Sequence, residues 1–523
     1  MKKINKVSSI LLSTIVAGLS FACSNNAQQE QIFPNQIDSS ISSASQKGFI
    51  ASRNFTETGY TILKIYYTDA KQLETLNEMG MDVWTVQKGF VIGQANDFVM
   101  KKLKMNLQLK IEMLSPKEGF SVLNTFDPKY HTYEQTLSEM KTVAAKYPAL
   151  AQLSDIGDTW EKKKGLANRD LWAMRVTGKG DGSKKPGIVF FGNHHARELV
   201  TVEIPLRLIS HLLDNYGKDA DITNMIDSTE IWIVPMVNPD GHTLAEKGQN
   251  WRKNKNDNKD ISPTASLGVD LNRNYGHQWN TGGSSSSPSS DTFHGKNAFS
   301  EPETQATKEF MDTHKNLKIM MSYHSFSNLI LWPWGWSTNP SPDAKKFETI
   351  GGKLGANSGY EPKQASKLYV ASGITDDYAY GKLKLLSFTT EIGTWDDGFD
   401  PPYSKVDQFW KENLPNALYL IKLAGESPLN KEACFGPDIN SVSKSSDGKI
   451  SVSFDKKYAN KVSNVEYFVG KLGEPGKGKN LPVTESSNSF KFDVSERADN
   501  NLVYVRAQSP DGKWGPVSTV SLK

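Results

Sequence analysis

Residues 188–198 read Ile-Val-Phe-Phe-Gly-Asn-His-His-Ala-Arg-Glu. The first four, Ile188 to Phe191, form an unbroken apolar run of the length of a buried strand, and an amphipathic helical pattern then continues to about Asn215. His195 and Glu198 follow the strand end three residues apart, so an imidazole and a carboxylate can converge on one ion. Taken alone, His-x-x-Glu is a pattern that chance produces often, and a histidine at a strand end is more often structural than a ligand.

Working outward, apolar β runs alternate with amphipathic helices from about Tyr130 to Gly425, with Ile231 to Val237, Lys318 to Tyr323 and Leu385 to Thr390 as the later strands. The pattern predicts an α/β domain, a mixed and mostly parallel sheet with helices on both faces. In such sheets functional residues gather just beyond the carboxyl ends of the strands. His324 sits at one such end, past Lys318 to Tyr323. Two histidines and a glutamate with a fourth position open are the ligand set of a catalytic zinc. Only two cysteines exist, Cys23 and Cys434. No disulfide framework or cysteine metal site is therefore available, and a metal here must use histidine and carboxylate. The Gly- and Ser-rich Thr281 to Ser290 reads as a surface loop.

With 523 residues the chain is long enough for about three domains. A net charge of +3 makes no case for nucleic acid as a partner. Residues 1–23 read as an export signal, with Lys2, Lys3 and Lys6 before an apolar run from Ile10 to Leu19 that is too short to span a bilayer. Cys23 resembles the lipidated first residue of a bacterial lipoprotein, although Phe21 departs from the usual small residue. Simple secretion with cleavage nearby is the other reading, and the protein is exported under both, to the cell envelope or beyond. Any membrane contact runs through a lipid on Cys23. Residues 24–59 read as a tether, 60–114 as a small α+β module, 115–129 as a linker with Pro116, Gly119 and Pro128, and 437–523 as an all-β sandwich of short alternating strands.

Several ordered motifs resemble the zinc metallocarboxypeptidases of the carboxypeptidase A and B type across most of Tyr130 to Gly425. They are His195-Ala-Arg-Glu198, Asn238-Pro-Asp-Gly241, Trp251-Arg-Lys-Asn254, Gly268-Val-Asp-Leu-Asn-Arg-Asn274, Ser322-Tyr-His-Ser325, Tyr369 with Ala371-Ser-Gly373, and Thr389-Thr-Glu391. The resemblance implies a carboxypeptidase-like fold and one zinc ion held by His195, Glu198 and His324, with Asp270 orienting the first histidine from behind. It implies Glu391 as the general base that takes a proton from the attacking water, and Arg252 as the cation that polarises the scissile carbonyl. Asn272 and Arg273 would grip the substrate's terminal carboxylate, Arg197 would assist along the subsites, and Tyr369 would close over the bound chain. Phe326 stands where the family commonly has tyrosine.

By the same resemblance Asp376, seven residues after Tyr369, looks like the pocket-floor residue, where an aspartate in related enzymes selects Lys or Arg side chains; a register shift of one would put Asp377 there instead. The 60–114 module loosely resembles the activation domains that cover such clefts until removed, and the C-terminal module resembles a fibronectin type III sandwich. The partners implied are peptide or protein C-termini. Two other readings share parts of the pattern: a cell-wall peptidase of the same fold, and a surface protein that binds without turnover. The Asn272-Arg273 clamp disfavours the first, and retention of every ligand and of Glu391 disfavours the second.

Overall fold

The computed structural model describes residues 60–105, 109–114, 126–425, 437, 439–454, 462–470, 476–481, 483, 489–495, 502–510, 512, 514–515 and 518–522. All of them belong to one compact unit, residues 49–523. The export signal with Cys23, the tether, Cys434 and most of the 115–129 linker lie outside the described residues. No described helix is long and apolar enough to cross a membrane.

The first strands, β1 (Tyr60–Tyr66), β2 (Asp82–Gln87), β3 (Phe90–Asn96) and β4 (Lys110–Met113), make an antiparallel sheet in the order β2-β3-β1-β4. Two helices, Ala70–Met79 and Asp97–Met105, close it over a core of Leu63, Ile65, Leu76, Val91 and Leu103. Local signals set the first helix: Asp69 accepts from Gln72 N at the start, and Gly80, at φ 96°, ends it in the left-handed region that glycine reaches without cost.

The central sheet has eight strands, β5 (Ala151–Asp158), β6 (Asp170–Val176), β7 (Gly187–Phe191), β8 (Glu230–Val234), β9 (Leu317–His324), β10 (Leu329–Trp332), β11 (Glu361–Gln364) and β12 (Leu386–Glu391). Their order is β11-β10-β12-β9-β7-β8-β6-β5. The middle four, β12, β9, β7 and β8, run parallel, while β6 and β5 on one side and the β10–β12 pairing on the other are antiparallel. Every residue of β7 and β8 is buried. Side chains alternate between two cores, as a period of two requires. Ile188 and Phe190 face the core built with the helices Val200–Asn215 and Val406–Gly425, whereas Val189 and Phe191 face the core built with Phe310, Met311 and Tyr378. The α/β expectation therefore holds, with helices on both faces and antiparallel strands at the flanks.

The last strands, β13 (Ile439–Lys444), β14 (Ile450–Phe454), β15 (Asn464–Val469), β16 (Lys479–Leu481), β17 (Ser489–Phe492), β18 (Leu502–Gln508) and β19 (Ser518–Ser521), form two antiparallel sheets, β13-β14-β17 and β16-β15-β18-β19. Ile450 and Val452 from one sheet and Val465, Val503 and Val505 from the other share a single core.

The parallel middle of the large sheet fixes the site. β7 ends at Phe191, β9 at His324 and β12 at Glu391, with Glu391 level with His324 in the register. Between β7 and the His195 turn lies Gly192, where a Cβ would stand 2.2 Å from Thr201 O and 2.7 Å from Pro235 O. Both neighbours are backbone, so the strand exit has no room for a side chain. Gly192→Ala is expected to destabilise the fold by about 1–3 kcal/mol through overpacking and to weaken zinc binding, since the displaced segment carries two ligands. Denaturant unfolding together with metal titration checks this.

Candidate active site

Among the described residues, His195, Glu198 and His324 bring one ligand atom each to within 4.8 Å of one another, and all three are buried. His195 Nδ1 lies 2.6 Å from Glu198 Oε1, and His324 Nδ1 lies 3.0 Å from Glu198 Oε2 and 3.2 Å from His195 Nδ1. Donor atoms held about 2.0–2.1 Å from a tetrahedral zinc sit roughly 3.3 Å apart, so this spacing fits one such ion. Two acceptor nitrogens and a carboxylate facing inward also match the donor set zinc prefers.

Backbone details hold the ligands. Asn193, at φ 57°, turns the chain sharply after β7, and its amide donates to the carbonyls of His195 and Ala196. Asp270, fully buried, places Oδ1 3.3 Å from His195 Nε2. Its Oδ2 accepts both Nε and Nη2 of Arg252, at 2.9 and 2.8 Å. One carboxylate thus serves a metal ligand and the buried guanidinium together.

Asn272 and Arg273 follow in a short turn. Asn272 Oδ1 accepts from Thr375 N and Thr375 Oγ1, both at 2.9 Å, and Arg273 Nη1 donates to Asn272 O at 2.8 Å. The Arg273 guanidinium lies 5.9 Å from the Tyr369 ring centre, and its buried Nε has no hydrogen-bond partner in the described protein. Asp376 and Asp377 open the Thr375–Leu383 helix. The carboxylate oxygens of Asp377 accept from Gly335 N and Trp336 N, whereas among the described residues the carboxylate of Asp376 accepts only from Thr389 Oγ1, at 2.8 Å, and its buried Oδ1 is unpaired.

The 60–114 module reaches into this cluster, through residues that the sequence did not single out. Buried Asp82, at the start of β2, accepts Arg197 Nη2 at 2.6 Å and stands 3.9 Å from Arg252 Nη1. Trp84 packs edge-on to Phe399, which also contacts Phe326, and the Arg197 guanidinium lies 3.8 Å from the Phe399 ring centre. Tyr369 packs against the module's core. Polar contacts surround this docking: Asp291 accepts Tyr60 Oη and Gln94 Nε2, and Ser290 Oγ donates to Gly80 O. His194, also unforeseen, is buried against Tyr275 Oη at 3.0 Å and stacks on His324.

Burial and charge set the protonation states. Burial would raise Asp270, but Arg252, His195 and Arg273 overcome it and hold the carboxyl well below its usual range. The same contest, won by Arg197 and Arg252, keeps Asp82 ionised. Glu391 behaves oppositely: burial first, then the charge of Glu198, push it well above the ordinary carboxylate range. Burial also pushes Asp376 up to about 7.

A family model described as zinc carboxypeptidase matches residues 136–416, just over half the chain. A zinc carboxypeptidase of Saccharothrix mutabilis subsp. capreolus is 34% identical over 298 residues, covering 54% of this chain and 66% of that one. A metallocarboxypeptidase A of Arthroderma otae is 30% identical over 347 residues, 64% of this chain and 80% of the relative. The solved structure of carboxypeptidase A from Helicoverpa armigera aligns with a TM-score of 0.60 at 25% identity, over 71% of this chain and 99% of that one. With a buried His-Glu-His set at the ends of parallel strands, this chain belongs to the zinc carboxypeptidases, hydrolases that open C-terminal peptide bonds, and its zinc ligands are His195, Glu198 and His324.

Proposed function

We propose that the protein is an exported carboxypeptidase that removes Lys or Arg from the C-termini of peptides and proteins, and that its N-terminal module covers the site until cut away. The observation that carries the basic preference is the unpaired, buried Oδ1 of Asp376. Asp377 has its oxygens engaged by backbone N–H groups, so of the two aspartates it is Asp376 that has an acceptor to spare for a cationic side chain. Export is supported by the residues before Cys23, and Cys23 is the candidate lipid anchor.

Zinc, when bound, supplies Lewis acidity that polarises the scissile carbonyl and acidifies water. Glu391, part-buried and level with His324 at the end of its strand, is placed to act as the general base. It takes the proton of the attacking water and returns it to the leaving amine. Arg252, fixed by Asp270, faces the developing oxyanion as a cation that needs no reorientation. Asn272 and Arg273 bind the terminal carboxylate, Arg197 assists along the subsites, and Tyr369 closes over the bound chain. Asp82 stands against Arg197 and Arg252 as a carboxylate from within the chain, which supports the covering role of the module.

Glu391→Gln is expected to keep a full zinc content while kcat falls about 10²–10⁴-fold; metal analysis beside single-turnover kinetics tests it, and near-normal turnover would remove Glu391 from the role. For specificity, peptides differing only in the last residue are compared. Asp376→Asn should cut kcat/KM for Lys- and Arg-ended peptides about 100-fold, the scale of a lost buried charge pair, and spare apolar ends. Because Asp376 is an acid raised to about 7, it turns neutral as pH falls through that value, so the basic-to-apolar selectivity of the wild type should shrink below pH 7 and that of Asp376→Asn should stay flat.

The covering role predicts that full-length chain turns over more slowly than chain cut within residues 115–129. Asp82→Ala should raise the full-length rate about ten-fold without changing the cut enzyme. Equal rates before and after the cut would reject it.

A further inference from the structure

In the Trp251-Arg-Lys-Asn254 segment, Asn254 has no part in the chemistry above. Asn254 is fully buried, and every polar atom of its side chain is used. Its Oδ1 accepts Val269 N at 2.8 Å and Asn256 N at 3.3 Å. Its backbone N donates to Val269 O at 3.0 Å, so residue 254 grips both polar groups of the residue immediately before Asp270. Its Nδ2 donates to two carboxylates at once, Glu301 Oε2 at 2.8 Å and Glu303 Oε2 at 3.1 Å. Both glutamates are 0% exposed, so their burial has to be matched by fixed donors. Glu301 occupies the N-terminal cap position of the Pro302–Thr313 helix and also receives Asn256 Nδ2 and Ser300 Oγ, while Glu303 receives Trp160 N at 2.8 Å.

We infer that Asn254, clamped by the Glu301–Glu303 pair, is a positioning residue that holds Arg252 and Asp270 in register for transition-state stabilisation. Arg252 is two residues before it and Asp270 one residue past the Val269 it grips. The two catalytic segments are therefore joined through this carboxamide, and the helix of Glu303 supplies the rigid support. The inference rests on the reading of Arg252 as the oxyanion cation. The pair is also electrostatically coherent. Burial, then the charges of Glu301 and Asp240, push Glu303 up to about 8. Asp240 is in turn paired with Arg169, and Glu161 with Arg169 and Lys255, which leaves the glutamate pair to depend on Asn254, Asn256, Ser300 and Trp160 for its donors.

The test compares Asn254→Asp, Asn254→Asp with Glu303→Gln, Glu303→Gln alone and Arg252→Ala, each in the zinc-loaded full chain. The readouts are kcat, KM, zinc content and the inhibition constant of a phosphonate peptide, a mimic of the tetrahedral state. Asn254→Asp puts a third carboxylate against the other two and removes the donors, so kcat should fall about 30-fold, as for a small misplacement of a catalytic group. KM should stay within about three-fold, zinc should be retained, and the phosphonate constant should rise in step with the loss. In the double variant the amide introduced at position 303 donates to the carboxylate introduced at position 254, and kcat should recover at least about five-fold. A kcat for Asn254→Asp within about two-fold of wild type, a loss confined to KM or to zinc, or no recovery in the double variant would overturn the inference. If Asn254→Asp does not fold, Glu303→Gln decides: a lower kcat with a weaker phosphonate supports it, and unchanged values overturn it. Arg252→Ala separates the two levels. If it keeps its kcat, the role of Arg252 has failed; if it loses kcat while the Asn254 variants do not, only the positioning role has.

Discussion

The carboxylate of Asp270 is the interaction on which the site depends. It is fully buried, with one oxygen near His195 and the other gripped twice by Arg252. A buried anion of this kind is tolerable only when its charge and lone pairs are matched. Here the match consists of a metal ligand and the proposed oxyanion cation, so the electrostatic need of one side chain fixes the relative positions of two functional groups. Asp270 also caps its own turn by accepting Asn272 N at 3.0 Å. The Asn272-Arg273 pair is thereby tied to the same anchor.

Legibility in the sequence follows from how local each signal is. The strands β7 and β8 are buried on both faces and show as unbroken apolar runs, so the centre of the sheet could be read directly. β11, Glu-Pro-Lys-Gln at an edge, has no apolar run and no such signal, and its pairing is imposed by β10. β5, polar along much of its length with a register shift near Gly157, was equally silent. The zinc ligands were legible because each sits at the carboxyl end of a readable strand and inside a multi-residue motif.

Asp82 and Trp84 were not legible, and the reason is separation. Asp82 meets Arg197 across 115 positions of sequence. Nothing in the local pattern Asp-Val-Trp-Thr-Val-Gln distinguishes a surface strand from one that delivers a carboxylate to a distant cleft. His194 went unseen for a different reason: its neighbour His195 accounted for the histidine at that strand end, and the second imidazole acts by stacking and hydrogen bonding within the core. Glu301 and Glu303 read as an ordinary acidic helix start, and only their burial against Asn254 gives them another meaning.

Polar atoms left unpaired in the described protein occur across the fold, Asn77, Trp232 and Asn416 among them, and a few belong to the proposed substrate contacts. Arg197 Nε and Nη1, Arg273 Nε and Asp376 Oδ1 are all buried and without partners, and all belong to the residues assigned to substrate. Each such atom carries a desolvation cost of roughly 1–3 kcal/mol. A fold tolerates that cost in one neighbourhood when a bound molecule offsets it. Under the proposed function, the guanidinium donors and the Asp376 acceptor would match an anionic end and a cationic side chain on the same residue. A C-terminal lysine or arginine has that charge pattern. Asp82 supplies only the anionic half of it, which would let the module block the arginines and leave the Asp376 pocket unmatched.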